Sequence, residues 1–282
     1  MLDFILLIIT LIILILATIS DIKTREIPDY LTYSLIFIVI SLNLLNSIIY
    51  KNTNYLTILI YLLIFIIIAN ILYYTKFWGG GDSKLIIGLS LVFVNYPKPL
   101  INYFQPSLPY PFLITYFINL ALTSFVYGLI FSIALAIKNK DKFKKEFLTL
   151  LPKYKTIRII TITLTIVTII TFYITKIQPL ILLIILIFFH PYILIFVKAT
   201  ENSSLIKLVH PKKITEGDLL AENIKINNQI YSKKSLGLEK YQIQQLIKRN
   251  KLVLIKYGIP FAPVFLISTI ISLIFGNIFM VL

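Results

Sequence analysis

Residues 55–74 read YLTILIYLLIFIIIANILYY, and residues 75–84, directly after them, read TKFWGGGDSK. The first stretch carries no charge and supplies the roughly 20 helical residues that cross a hydrocarbon core of ~30 Å. The second places Lys76 and Trp78 where a spanning helix leaves the apolar layer, a position that suits both. Three glycines and Asp82 follow, and a new apolar run begins at residue 84. Working outward, further apolar runs occupy 2–20, 31–50, 111–137, 157–175, 179–197 and 260–281. The sequence therefore predicts an all-α polytopic membrane protein of about eight transmembrane helices. The fourth, 84–96, is the short one, with about a dozen apolar residues before Asn95-Tyr96-Pro97.

The whole chain agrees with that class. Of its 282 residues 58% are hydrophobic, and the mean hydropathy is +0.90, which excludes a soluble globular protein. The only sizeable polar stretch, 198–259, holds β-like runs at 224–231 and 252–257 and an amphipathic helix candidate over 238–248. It reads as a small cytoplasmic α+β module ahead of the last helix. With no cysteine and two histidines, the chain lacks thiolate chemistry and the usual zinc ligands, so neither a metal nor another cofactor is expected.

The net charge of +15 is distributed by topology. With eight crossings, all but Lys51, Lys98 and Lys176 of the 27 Lys and Arg fall on one side or at its helix ends. That side is the cytoplasmic one by the positive-inside rule, which sets both termini outside. The run 138–158 alone holds eight basic residues, and a re-entrant fourth helix would export them, so the fourth helix is expected to cross. The first apolar run lacks a basic segment ahead of it and is followed by Lys23 and Arg25, the pattern of an uncleaved helix. Anionic lipid is an expected contact of the basic run 138–155. Nucleic acid is not expected, because the aromatics lie in apolar spans and not along a basic groove.

Only five of the 12 acids lie in the first 137 residues: Asp3, Asp21, Glu26, Asp29 and Asp82. Asp21 ends the first apolar run and Asp82 precedes the fourth, positions at which a carboxylate is partly desolvated. Each hairpin returns the chain to the side it left, so the segments after the first and third helices share a membrane face. Two carboxyls that meet in a low-dielectric site hold one proton between them. The charged one can act as a base toward water, the protonated one as an acid toward a carbonyl or leaving amine. Three glycines before Asp82 permit positive φ and close approach of another backbone. Ile27-Pro28-Asp29 could turn the chain and cap the second helix.

Gly79-x-Gly81-Asp82 opening a helix, together with Asp21-x-x-x-Arg25-x-Ile27-Pro28-Asp29 after the first helix, resembles the GxGD aspartyl proteases of the prepilin peptidase family. The likeness is to the archaeal enzymes that process preflagellins (prearchaellins) and type IV prepilin-like proteins, and it covers roughly residues 1–137. The resemblance implies a membrane endopeptidase facing the cytoplasm that removes a short basic leader just ahead of a hydrophobic helix, after a glycine. It also implies Asp21 and Asp82 as the catalytic pair, with Gly79, Gly81, Arg25 and Pro28 shaping the loops. Precursor proteins of the prepilin or preflagellin kind would be the partners. Many bacterial relatives add a Cys-x-x-Cys segment and methylate the new terminus; lacking these, this chain is expected to be a peptidase alone. Stretches 213–218 and 258–263 look similar to the C-terminal region of an archaeal prepilin-peptidase subgroup, which leans the substrate toward prepilins. On this reading the chain divides into a catalytic membrane domain (1–137), a basic cytoplasmic loop (138–156), a transmembrane hairpin (157–197), the module (198–259) and a last helix (260–282).

Plainer readings exist for the same residues. Asp21 could pair with Arg25 one helical turn on, and Asp82 could serve only as a helix cap. Gly217-Asp218 copies the look of Gly81-Asp82 but stands in the polar module, where a solvated helix start explains it. His190-Pro191 reads as a kink with a neutral, hydrogen-bonded histidine, and Ser83-Lys84 points its side chains apart. A proton-coupled transporter that uses Asp21 and Asp82 as carriers is the alternative function, disfavoured by their interfacial placement and by the lack of an internal repeat.

Overall fold

The computed structural model describes residues 2–50, 54–178, 180–226, 229–233 and 235–280. Lys51, and residues 227–228 inside the expected 224–231 run, lie outside the described residues. In chain order the helices are α1 (Leu2–Thr24), α2 (Asp29–Tyr50), α3 (Asn54–Tyr74), α4 (Gly80–Val92), α5 (Ile101–Phe104), α6 (Phe112–Lys138), α7 (Lys140–Lys153), α8 (Lys155–Thr175), α9 (Leu180–Thr200), α10 (Lys240–Arg249) and α11 (Ala262–Phe275). The strands are β1 (Ile206–Val209), β2 (Leu219–Leu220), β3 (Ile224–Ile226), β4 (Gln229–Tyr231) and β5 (Val253–Lys256). Among the described residues six helices are long and apolar enough to cross a membrane: α1, α2, α3, α6, α8 and α9. The protein is a multi-pass membrane protein of the expected all-α class, with a small sheet region.

The two remaining apolar runs form shorter helices than the sequence suggests. α4 has 13 residues and α11 has 14. At 1.5 Å per residue each is about 20 Å long, short of a ~30 Å core. α4 stops ahead of Asn95-Tyr96-Pro97. α11 stops at Gly276, whose φ of 70° turns the chain, and the Ser107 carbonyl takes the N–H of Asn277 at 2.8 Å. The run 260–281 is thus broken by a tertiary contact that hydropathy does not register.

The chain forms two compact units, Met1–Gly128 with Gly258–Leu282, and Leu129–Tyr257. In the first, α4 packs against α2 and α3, and α1 packs against α2 and α11. The core holds Leu14, Leu35, Leu85, Leu89, Phe93 and Phe265, all fully buried, while Phe37 and Ile48 are more than 70% exposed, as suits a lipid-facing surface. At Gly88 a β-carbon would stand 2.8 Å from the Leu35 side chain, so the α2–α4 crossing depends on this glycine. Asn119 of α6 donates to Ser272 Oγ (2.8 Å) and the Gly276 carbonyl (2.7 Å) and accepts the Ile278 N–H (3.2 Å), which ties α6 to the end of α11.

In the second unit α9 packs against α7 and α8. The segment expected as a basic loop contains α7, whose Phe143, Phe147, Leu150 and Leu151 form an apolar stripe against Ile195 and Ala199. The polar module has a three-stranded antiparallel sheet in the order β1-β5-β2 and a β3–β4 hairpin, with Leu246 of α10 in a core with Leu220, Val253 and Ile255.

Candidate active site

Asp21 lies in the last turn of α1 and is only 6% exposed. The helix ends at Arg25, which adopts a left-handed conformation (φ 62°) while its N–H still reaches the Asp21 carbonyl at 2.9 Å. The following turn is held by hydroxyls: Ser20 and Thr24 both donate to the Glu26 carbonyl, at 2.9 and 3.3 Å. Pro28 then leads into α2, and its carbonyl accepts the Leu31 N–H. Asp29 is the first residue of that helix. Its carboxylate, expected to cap α2, instead pairs with Lys84 Nζ of α4 at 2.6 Å.

Asp82 sits in the first turn of α4, ahead of the apolar run, and its Oδ2 accepts the Gly79 N–H at 3.2 Å. The cap role weighed for it is therefore present alongside whatever else the carboxyl does. Burial, and next the Asp21 carboxyl, push Asp82 up from its ordinary value of 3.8 to about 7, against the opposing Gly79 hydrogen bond. The Asp21 carboxyl, at the end of a different helix, thus lies within electrostatic reach of Asp82.

The contact that brings their segments together is steric. A β-carbon on Gly81 would stand 2.8 Å from the Ile27 Cβ, so the turn after α1 rests directly on the start of α4. At Gly79 a β-carbon would meet the Asp82 carboxyl at 3.3 Å, and at Gly80 only a Tyr73 ring carbon at 3.6 Å. Positive φ, which the sequence allows for these glycines, is not used by them; among described glycines it occurs at Gly217, Gly237 and Gly276. Close approach is what Gly81 provides, and to a lesser degree Gly79, while Gly80 has room for a β-carbon.

Arg25 makes a different contact from the ion pair weighed for it. Its Nη1 donates to the Gly258 carbonyl, and its charge acts on Asp21 without a direct ion pair among the described residues. Four residues past Gly258, the Ala262 N–H donates to Asp21 Oδ2 at 2.8 Å. Phe261 and Phe265 pack on the Trp78 indole with ring centroids 5.6 and 5.5 Å away. Segment 258–265 therefore completes the surroundings of Asp21. The sequence flags it through Gly258 and two prolines and through parity, which returns it to the side of residues 21–30, yet those signals assign it no task. Tyr127 of α6 was also missed; it lies within electrostatic reach of Asp21 and Arg25. Asp218, the look-alike, binds the Thr215 N–H at 2.8 Å in a turn of the polar module. Among the described residues no three His, Cys, Asp or Glu side chains gather as a metal site.

Chemically, the arrangement offers one carboxyl close to neutral pKa, a second carboxyl supplied with a main-chain N–H, and a nearby guanidinium. Such a set can hold one proton and move it between water and a bound carbonyl.

Residues 8–137 match the family model of the type IV leader peptidases. The chain is also similar to the preflagellin peptidase of Methanocaldococcus jannaschii, 29% identical over 143 residues, which are 48% of this chain and 60% of that protein. The chain thus spans less than two thirds of that relative. No solved structure matches it. The residues matched by the family model, 8–137, contain Asp21, Arg25, Pro28, Gly79, Gly81 and Asp82.

Proposed function

We propose that this chain is an aspartic-type endopeptidase that removes the short basic leader from type IV prepilin-like or preflagellin precursors at the cytoplasmic membrane face. The observation that carries the reading is the seating of the turn after Asp21 on the start of α4, Ile27 against Gly81, which sets Asp21 within electrostatic reach of Asp82 inside a segment that matches leader peptidases. With one proton on the pair, the charged carboxylate takes a proton from water as the water oxygen bonds to the peptide carbon. The protonated carboxyl gives its proton to the carbonyl oxygen. Collapse of the resulting diol breaks the C–N bond, with the first carboxyl passing its proton to the departing amine and the second regaining one from the diol.

The basic leader would lie in the cytosol and the apolar helix of the precursor in the bilayer, which sets the cleavable bond at the level of two acids placed at helix ends. By the positive-inside reading of the sequence that face is the cytoplasmic one, with both termini outside. Proteolysis without methylation is the proposed activity.

The test is cleavage of a tagged precursor carrying a basic leader, a glycine site and an apolar helix, in membranes holding the wild type, Asp21→Asn, Asp82→Asn or Asp218→Asn. Shortening by wild type and Asp218→Asn, and none by the other two, is the expected result. Cleavage by well-expressed Asp21→Asn and Asp82→Asn proteins would falsify the mechanism.

A further inference from the structure

Asp21 and Asp82 are chemically alike, but their surroundings are not. Asp21 receives the Ala262 N–H at 2.8 Å, has the Phe261 amide beside it, and feels the charge of Arg25. Ala262 is the first residue of α11, so its N–H is one of those a helix leaves without an internal acceptor, at the end that carries partial positive charge. Arg25 is held by the Gly258 carbonyl, so one five-residue strap, 258–262, supplies the N–H and anchors the cation. The strap is fixed in turn: Ala262 is fully buried, and Phe261 packs at a tilt against Trp78, four residues before Asp82. Among the described residues Asp82 receives one longer bond, from Gly79 at 3.2 Å, and no cation acts on it. The titratable groups facing Asp21 from other elements are Asp82 of α4 and Tyr127 of α6; α11 contributes no charged residue.

We propose that the 258–262 strap is a positioning element that fixes Asp21 as the charged member of the pair and leaves the shared proton on Asp82. This rests on the leader-peptidase reading and refines it: Asp21 takes the proton from water, and Asp82 protonates the carbonyl oxygen. It also makes the segment that matches leader peptidases, residues 8–137, incomplete without a strap from the far end of the chain.

The experiment is the pH–rate profile for cleavage of the basic-leader precursor by the full chain and four variants. Ala262→Pro removes the N–H, while Ala262→Gly keeps it. Arg25→Gln removes the cation, and Arg25→Lys keeps the charge. With the charged form of Asp21 less well held, the acidic limb of the profile moves toward neutral by about one pH unit in Ala262→Pro and Arg25→Gln. In Ala262→Gly it stays with the wild type, and in Arg25→Lys it stays closer to the wild type than in Arg25→Gln. A merely structural strap would lower rates without moving the limb, so unshifted limbs in folded, active Ala262→Pro and Arg25→Gln overturn the proposal. Arg25 lies at an exposed helix end, and Arg25→Gln decides the matter alone if Ala262→Pro does not accumulate. A wild type that cleaves no such precursor overturns the leader-peptidase reading and this assignment with it.

Discussion

Gly81 lies so close to Ile27 that a methyl group in place of its hydrogen would stand 2.8 Å from the Ile27 Cβ, nearer than carbon atoms approach in folded proteins. This contact seats the turn after α1 on the start of α4, and so couples the segment bearing Asp21 to the one bearing Asp82. Neither residue can yield easily, because the offending Ile27 atom is attached to the backbone itself. Forced overpacking of this sort costs about 1–3 kcal/mol. Gly81→Ala is therefore expected to lower the melting temperature and cut precursor cleavage about tenfold or more. Gly80→Ala, which meets only Tyr73 at 3.6 Å, should be close to wild type, and Gly79→Ala should disturb cleavage more than stability. Equal rates for Gly81→Ala and Gly80→Ala would remove the steric account.

Activity should fall as pH rises through about 7, where Asp82 loses its proton. The effect on stability has the same sign. The folded-state value lies above the unfolded 3.8, so the folded protein favours protonated Asp82; this contribution is complete below 3.8 and lost as pH rises to about 7. Asp82→Asn, which stays neutral, should then melt higher than wild type above about pH 7 and show no such gain in acid. Melting curves of both proteins across this window check it, and a parallel pH dependence of the two would count against the burial of a charged Asp82.

The Asp29–Lys84 pair, at 2.6 Å, is the shortest ion pair described, yet its side chains are 63% and 31% exposed. Lys84 also lies over the Tyr33 ring, 5.1 Å from its centroid. Exposed pairs contribute about 1 kcal/mol at most. Lys84→Met should shift the melting temperature slightly and leave most of the cleavage activity. A loss as deep as that of Asp82→Asn would mean that Lys84 has a role in the chemistry.

Asn119→Leu should be among the more damaging changes far from the acids. It strips the partners from Ser272, the Gly276 carbonyl and the Ile278 N–H in a fully buried setting. Unsatisfied buried groups cost about 1–3 kcal/mol each. A clear drop in thermal stability in detergent is the expected result, and since α11 carries the Ala262 N–H to Asp21, cleavage should fall as well. An unchanged melting curve would show that this tie is dispensable.

Much of the architecture is legible in the amino-acid sequence. Runs of about 20 apolar residues must be helical in a bilayer, because no other local structure satisfies their backbone groups there. Six such helices are present among the described residues. The polar module was equally readable, since its hydrophobic alternation and amphipathic helix are local patterns, and β5 and α10 fall within a few residues of the expected segments. The helix α7 was obscured because its lysines dominate the composition while its stripe of Phe143, Phe147 and Leu150 is thin.

For the site, the pattern of apolar runs is enough to say which two carboxylates stand at helix ends and, through the parity of hairpins, that they share a membrane face. Those are consequences of where apolar runs start and stop. What flanks them follows from packing between distant segments: Ile27 against Gly81, Lys84 on Asp29, and the Ala262 N–H on Asp21 across 241 residues of chain. Such packing also decides where α11 ends, through Ser107 at Gly276. The reason is one of range. Periodicity and caps report contacts within a turn or two of helix, whereas a hydrogen bond between α1 and α11 exists only once those helices have packed, and the residues that make it carry no local mark of the partner they will meet.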